Sequence, residues 1–149
     1  MFQRKALLTI VSVALAWVGQ STTSAQTAEE IFRRCNERVH TITERCVQRH
    51  VAIVAECSPR IRELLAAGEV EAARALARIC ITQINTSSRN CIDRIRLVCR
   101  ECIDALHNLG ANELAERLHQ NCERAIQVIL GSRTRAINAI HSLFPASPG

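Results

Sequence analysis

Residues 57–80 read CSPRIRELLAAGEVEAARALARIC, a stretch with a cysteine at each end and one glycine, Gly68, at its middle. The positions of these two cysteines sum to 137, as do those of Cys46 with Cys91 and of Cys35 with Cys102. A chain that folds back on itself at a glycine brings residues of constant index sum face to face. The three pairs therefore read as rungs of one antiparallel helical hairpin whose mirror centre, 68.5, lies beside Gly68. Residues 99–122, CRECIDALHNLGANELAERLHQNC, repeat the arrangement: Cys99 and Cys122 sum to 221, with a centre of 110.5 beside Gly110. Eight cysteines allow 105 pairings in principle. The mirror selects Cys35–Cys102, Cys46–Cys91, Cys57–Cys80 and Cys99–Cys122, in an all-α, elongated, up-down-up three-helix bundle stapled by four disulfides.

Hydrophobic period gives the same answer independently. Cys35, Val39, Ile42, Cys46, His50, Ile53, Cys57, Ile61 and Leu64 are spaced by steps of 3 and 4, and so are Cys80, Ile84, Ser87, Cys91, Ile95, Val98, Cys102, Leu106 and Leu109. An 11-residue repeat keeps such a stripe on one helix face with a slight right-handed drift. Folding about 68.5 sets Val39 against Val98, Ile42 against Ile95, Ile53 against Ile84 and Ile61 against Leu76. The spacing predicts helices from about 28 to 66, 69 to 108 and 112 to 142. The second hairpin matches the first at an offset of 42, as an internally duplicated unit would. Two places could interrupt the helices: Pro59, which lacks a backbone donor, and the polar run Asn85-Thr86-Ser87-Ser88. Equal rung spacing argues that the second stays helical. Helix one has a second apolar flank, Phe32, Val47, Val51, Val54 and Leu65, on which helix three can pack, while Arg34, Arg38, Arg45, Arg49 and Arg60 mark its water-facing side.

The first 25 residues read as an export signal: Arg4 and Lys5, the apolar run Ala6 to Val18, and Thr23-Ser24-Ala25 before a cleavage site after Ala25. The run of 13 residues is shorter than the ~20 a spanning helix needs, which implies no membrane anchor after cleavage; the competing reading is an uncleaved amphipathic first helix. The expected organisation is thus a signal at 1–25, one domain at 26–144 and a disordered tail at 145–149. Export, periplasmic or extracellular, suits an even number of cysteines. From Gln26 onward the chain has 17 Arg, no Lys and 14 Asp plus Glu, so 17 − 14 = +3. That charge is too mild to specify a polyanion. With Phe32 and Phe144 as its only aromatic residues, this part of the chain offers no platform for stacking single-stranded nucleic acid.

Several residues invite a chemical reading. His50 and Ser87 are the polar members of their seams and face each other in the mirror, which suggests a buried, hydrogen-bonded polar layer that sets register; without a carboxylate the pair makes a poor triad. Cys99 and Cys102 match the C-x-x-C spacing, but no strand pattern supplies a thioredoxin-like setting. Arg78, Arg89 and Arg100 lie 11 apart and form a candidate partner-binding stripe, or else pair with neighbours such as Asp93 and Asp104 at i, i+4. His40, His107, His119 and His141 share no ligand spacing.

The cysteine-lined helices resemble exported copper-storage proteins in compartment and helicity, which would imply thiolate sites for Cu(I) or Zn(II). Those proteins crowd their thiols into one core, whereas rungs 11 residues apart are separated by ~16 Å here. Residues 35–102 also look like an enlarged twin Cys-x9-Cys hairpin, a likeness of geometry that carries no functional residue across. The sequence predicts no cofactor and no catalytic constellation. Its expected role is an exported, noncatalytic structural or binding module for a protein or cell-envelope partner, with thiol-based metal binding or storage as the alternative.

Overall fold

A computed structural model describes the backbone of residues 20–146 and the side chains of residues 27–146. Three helices follow one another, α1 (Gln20–Ala66), α2 (Val70–Asn108) and α3 (Asn112–His141), and each packs on the other two. None is long and apolar enough to cross a membrane. The export signal lies mostly outside the described residues, as do the last three residues of the tail; Pro145 and Ala146 are irregular. α1 starts eight residues before the expected Ala28, because nothing from Gln20 to Thr27 is a proline or glycine that would stop the helix.

All four disulfides of the mirror pairing are present, with Cα–Cα distances of 6.3, 6.3, 6.5 and 6.5 Å in chain order. These lie within the span a disulfide accepts. No cysteine is left free. Cys99 and Cys102 belong to different bridges, one to α3 and one to α1.

Both turns end in the same way. Gly68 and Gly110 have φ of 76° and 71°. The Gly68 N–H donates to the Leu65 carbonyl and the Glu69 N–H reaches back to that of Leu64; Gly110 and Ala111 do the same to His107 and Leu106. This is the Schellman arrangement, in which a left-handed residue lets two N–H groups satisfy carbonyls that the helix end leaves open. The next helix starts at once, without a side-chain cap at Glu69 or Ala111.

α1 continues through Pro59. The missing donor leaves the Ala55 carbonyl without its helical partner, but both residues are exposed and water can serve it. The polar run Asn85–Ser88 stays helical inside α2, because rungs at Cys80 and Cys91 hold both its ends.

The third helix obeys a second index rule. Parallel helices share a near-constant difference, here within one helical turn: Asn121 bonds Asn36 at 2.9 Å (121 − 36 = 85), Arg117 stacks over the Phe32 ring at 5.0 Å (117 − 32 = 85), and Ser132 meets His50 (132 − 50 = 82). Phe32, Val54 and Leu65 of the second flank pack against the core as expected, but Val51 remains 63% exposed. The core itself falls into two apolar clusters. One runs from Ala28 to Cys46 on α1 with Ile95, Leu106, Leu118 and Ile129, and the other contains Ile53, Ile61, Ile84, Ala136 and Ile140.

The turn geometry predicts distinct responses to alanine. Gly68→Ala and Gly110→Ala should each cost about 1–2 kcal/mol from the left-handed φ alone, since a Cβ there meets nothing within 4 Å. Gly131→Ala, inside α3, should instead gain up to about 1 kcal/mol; its Cβ would touch only the flexible end of Arg135. Denaturant unfolding of the oxidised protein measures all three, and equal effects would contradict the turns.

Candidate functional site

The two apolar clusters are separated by one polar level. His50 is 1% exposed and is held from two sides: Nδ1 lies 2.9 Å from the Ser132 Oγ of α3, and Nε2 lies 2.9 Å from the Ser88 Oγ of α2. Ser88 has one proton, which its 2.9 Å contact with the Ile84 carbonyl takes. Its oxygen therefore accepts from Nε2–H, and Nδ1 accepts the Ser132 O–H. The network thus assigns a neutral imidazole with its proton on Nε2. The bridged Cys46 sulfur, 3.8 Å from Nε2, is a weak second acceptor on that side. Among the described residues no buried side-chain polar atom lacks a partner.

Ser87 is not in this layer. It is partly buried on the α1-facing edge of α2, while Ser88, one position on, points to the axis that all three helices share. Constant-sum pairing describes two helices only. The third helix rotates the buried face of α2 toward Ala77, Ile84, Ser88, Ile95 and Cys99, so the layer takes its serines from Ser88 and Ser132. Ser132 carries a readable signal: it is the polar step in the α3 series Leu118, Cys122, Ile126, Ile129, Ser132, Ala136, Ile140.

Chemically the layer is closed. No carboxylate bonds the imidazole, and Ser88 and Ile84 already share the hydroxyl proton that a nucleophile would surrender. Backbone N–H groups around it are spent within continuous helices. Its solvent edge is a groove of about 230 Å³ between α1 and α3, lined by His50 and Ser132 themselves with Val47, Val51, Val54 and Arg135. On the α2 side, Arg133 bonds Asn85 at 2.6 Å beside a second groove that Ser88 also lines.

The arginine stripe lies at the surface. Arg78, Arg89 and Arg100 are all exposed, and no ion pair joins Arg89 to Asp93 or Arg100 to Asp104. Arg89 lines a groove between α2 and α3 together with Asp93, Arg96 and Arg133. Of the remaining histidines, His40 pairs with Glu44 at 3.2 Å and His107 with Asn112 at 2.8 Å, and no group of three or more metal-ligating side chains gathers among the described residues. No protein-family model matches the chain, and neither a curated protein nor a solved structure does.

Burial lowers the His50 pKa below its ordinary 6.5. The native state therefore holds the imidazole neutral while the unfolded chain binds a proton at about 6.5. Stability from this group is complete above that value and declines as pH falls through it toward the lower folded pKa. Melting temperature should drop between about pH 7.5 and 5, and the drop should shrink in a His50→Ile/Ser88→Val/Ser132→Ala variant. Ser132→Val alone, which strands Nδ1, should cost about 1–3 kcal/mol, whereas Ser87→Val should be near neutral. A larger loss at Ser87 than at Ser132 would refute the layer.

Proposed function

We propose that the protein is an exported, noncatalytic binding module: a disulfide-stapled helical rod that presents arginine-rich surfaces to a protein or cell-envelope partner. The observation that carries this reading is the use of all eight cysteines in four bridges between helices. Disulfides of this density belong to oxidising compartments, which fits a leader removed after Ala25. A closed polar layer supports a structural role for the one buried histidine. The exposed Arg78, Arg89 and Arg100, without ion-pair partners, support a surface that meets acidic groups.

Thiol-based Cu(I) or Zn(II) storage needs reduced cysteines at coordinating distance. The three α1–α2 rungs lie ~16 Å from one another along the helices, so reduction would free two thiols at each of the Cys46–Cys91 and Cys57–Cys80 levels, whereas Cys35, Cys99, Cys102 and Cys122 come within about one turn of each other and are where a thiolate site would have to form.

A thiol count on protein recovered from its own compartment without reductant tests both readings. The expected count is zero, nonreducing peptide mapping should return the four pairs, and added Cu(I) or Zn(II) should leave the melting temperature unchanged, because a ligand stabilises only when it prefers the native state. Several free thiols with a metal-dependent rise in melting temperature would favour storage.

A further inference from the structure

We propose that the groove between α1 and α2 is a binding site for a small phosphomonoester that carries an apolar substituent. The groove, of about 570 Å³, is walled by Arg34, Arg38 and Arg45 of α1 and by Arg94 of α2. Its volume is that of a small-molecule site. Glu37, which also lines the groove, binds Arg33 at 3.0 Å, and Glu30 holds Arg34; Glu44, outside the lining, lies 3.2 Å from the His40 ring. The Thr41 hydroxyl donates to the Glu37 carbonyl. Arg38, Arg45 and Arg94 are left exposed in one groove without an ion-pair partner.

Three guanidinium groups specify the ligand. A carboxylate has two oxygens and a single negative charge, which one or two arginine forks satisfy, whereas a phosphomonoester has three terminal oxygens and about −1.5 to −2 charge at pH 7. Every cation from Gln26 onward is arginine rather than lysine, and arginine forms the paired, planar contacts that phosphoryl oxygens accept. The floor specifies the rest. Ile42 and Val98 lie at its base, and Leu97 beside them is 52% exposed, an apolar shelf next to the arginines.

Rigidity comes from the rungs. Arg38, Ile42 and Arg45 lie between Cys35 and Cys46, and Arg94, Leu97 and Val98 lie between Cys91 and Cys102, so one disulfide closes each end of the site. A groove of fixed width loses little freedom when a ligand enters. The proposal deepens the binding-module reading and rests on it only for its setting outside the cytoplasm; the thiol count tests that setting and ligand titration tests the site, so either can fail alone.

Calorimetric titration of the disulfide-bonded protein with phenyl phosphate tests it. Phenyl phosphate should saturate at one per chain, and inorganic phosphate should bind at least about tenfold more weakly. Arg45→Gln/Arg94→Gln should lose at least about tenfold, Arg45→Lys/Arg94→Lys several-fold, and Arg60→Gln, exposed on α1 outside the groove, less than about twofold. Circular dichroism of the variants should be unchanged, since both arginines are exposed. The proposal is overturned by absence of saturation, by equal affinity for inorganic phosphate, by full affinity in the lysine variant, or by a loss in Arg60→Gln matching that in the groove variants. Binding to phosphatidic acid vesicles with none to phenyl phosphate would move the arginines' role to a lipid surface and likewise overturn it.

Discussion

Equal spacing of the disulfide rungs on two helices is the constraint on which the remaining structure depends. Cys35, Cys46 and Cys57 are 11 residues apart, and so are Cys80, Cys91 and Cys102. Both helices rise by about 1.5 Å per residue, so the rungs close without strain in register only if neither helix gains or loses a residue between them. One inserted residue would swing every later side chain by about 100° and carry the next sulfur off the seam. This explains one local anomaly. α2 persists through Asn85–Ser88 because the rungs at Cys80 and Cys91 hold both ends of this weak segment in helical register; Pro59 lies beyond the last rung and is tolerated because the carbonyl it leaves open is exposed.

The same ladder leaves the third helix differently supported. α3 has one bridge, Cys99–Cys122, near its start. Beyond it, α3 is held by Ser132 on His50, by Arg133 on Asn85, and by Ala136, Ile137 and Ile140 in the lower cluster. Each buried isoleucine contributes about 1.5–3 kcal/mol when removed from water, but none of these contacts is covalent. Local stability follows such differences. The polar level sits where the ladder's covalent hold on α3 has ended, and its hydrogen bonds are directional where apolar packing is not. A slip of α3 by one residue would break both serine contacts and leave a buried imidazole unsatisfied, so the layer selects one register for the helix that disulfides leave least constrained.

Surface chemistry follows from the narrowness of the rod. Three helices bury one face each, and a large share of every helix remains in water. Arginine fills much of that share, and only four ion pairs form among the described residues, each within a single helix. Pairs of that kind contribute little to stability.

Pairing, turn positions and seam contacts were legible in the sequence because each depends on two helices and one index rule: a constant sum for antiparallel neighbours, with a left-handed glycine at the centre. Cys35–Cys102, the turn at Gly68 and the meeting of Ile53 with Ile84 all follow from that rule. The partners of His50 did not. A two-helix mirror points to Ser87, but the buried axis of a three-helix bundle lies between α1 and α3 as seen from α2, and this moves the inward position to Ser88 and brings in Ser132 from 82 residues away. The groove that Arg38, Arg45 and Arg94 line lies between α1 and α2, and the mirror does set Arg94 opposite Thr43, between the other two; that all three are turned outward along its rim is read from the structure. By itself the sequence determined which residues pair along the ladder, because helical rise makes index a measure of height; the tertiary structure alone decided which side chains at a given height face the common axis, because that depends on how each helix is rotated about its axis once a third surface competes for burial.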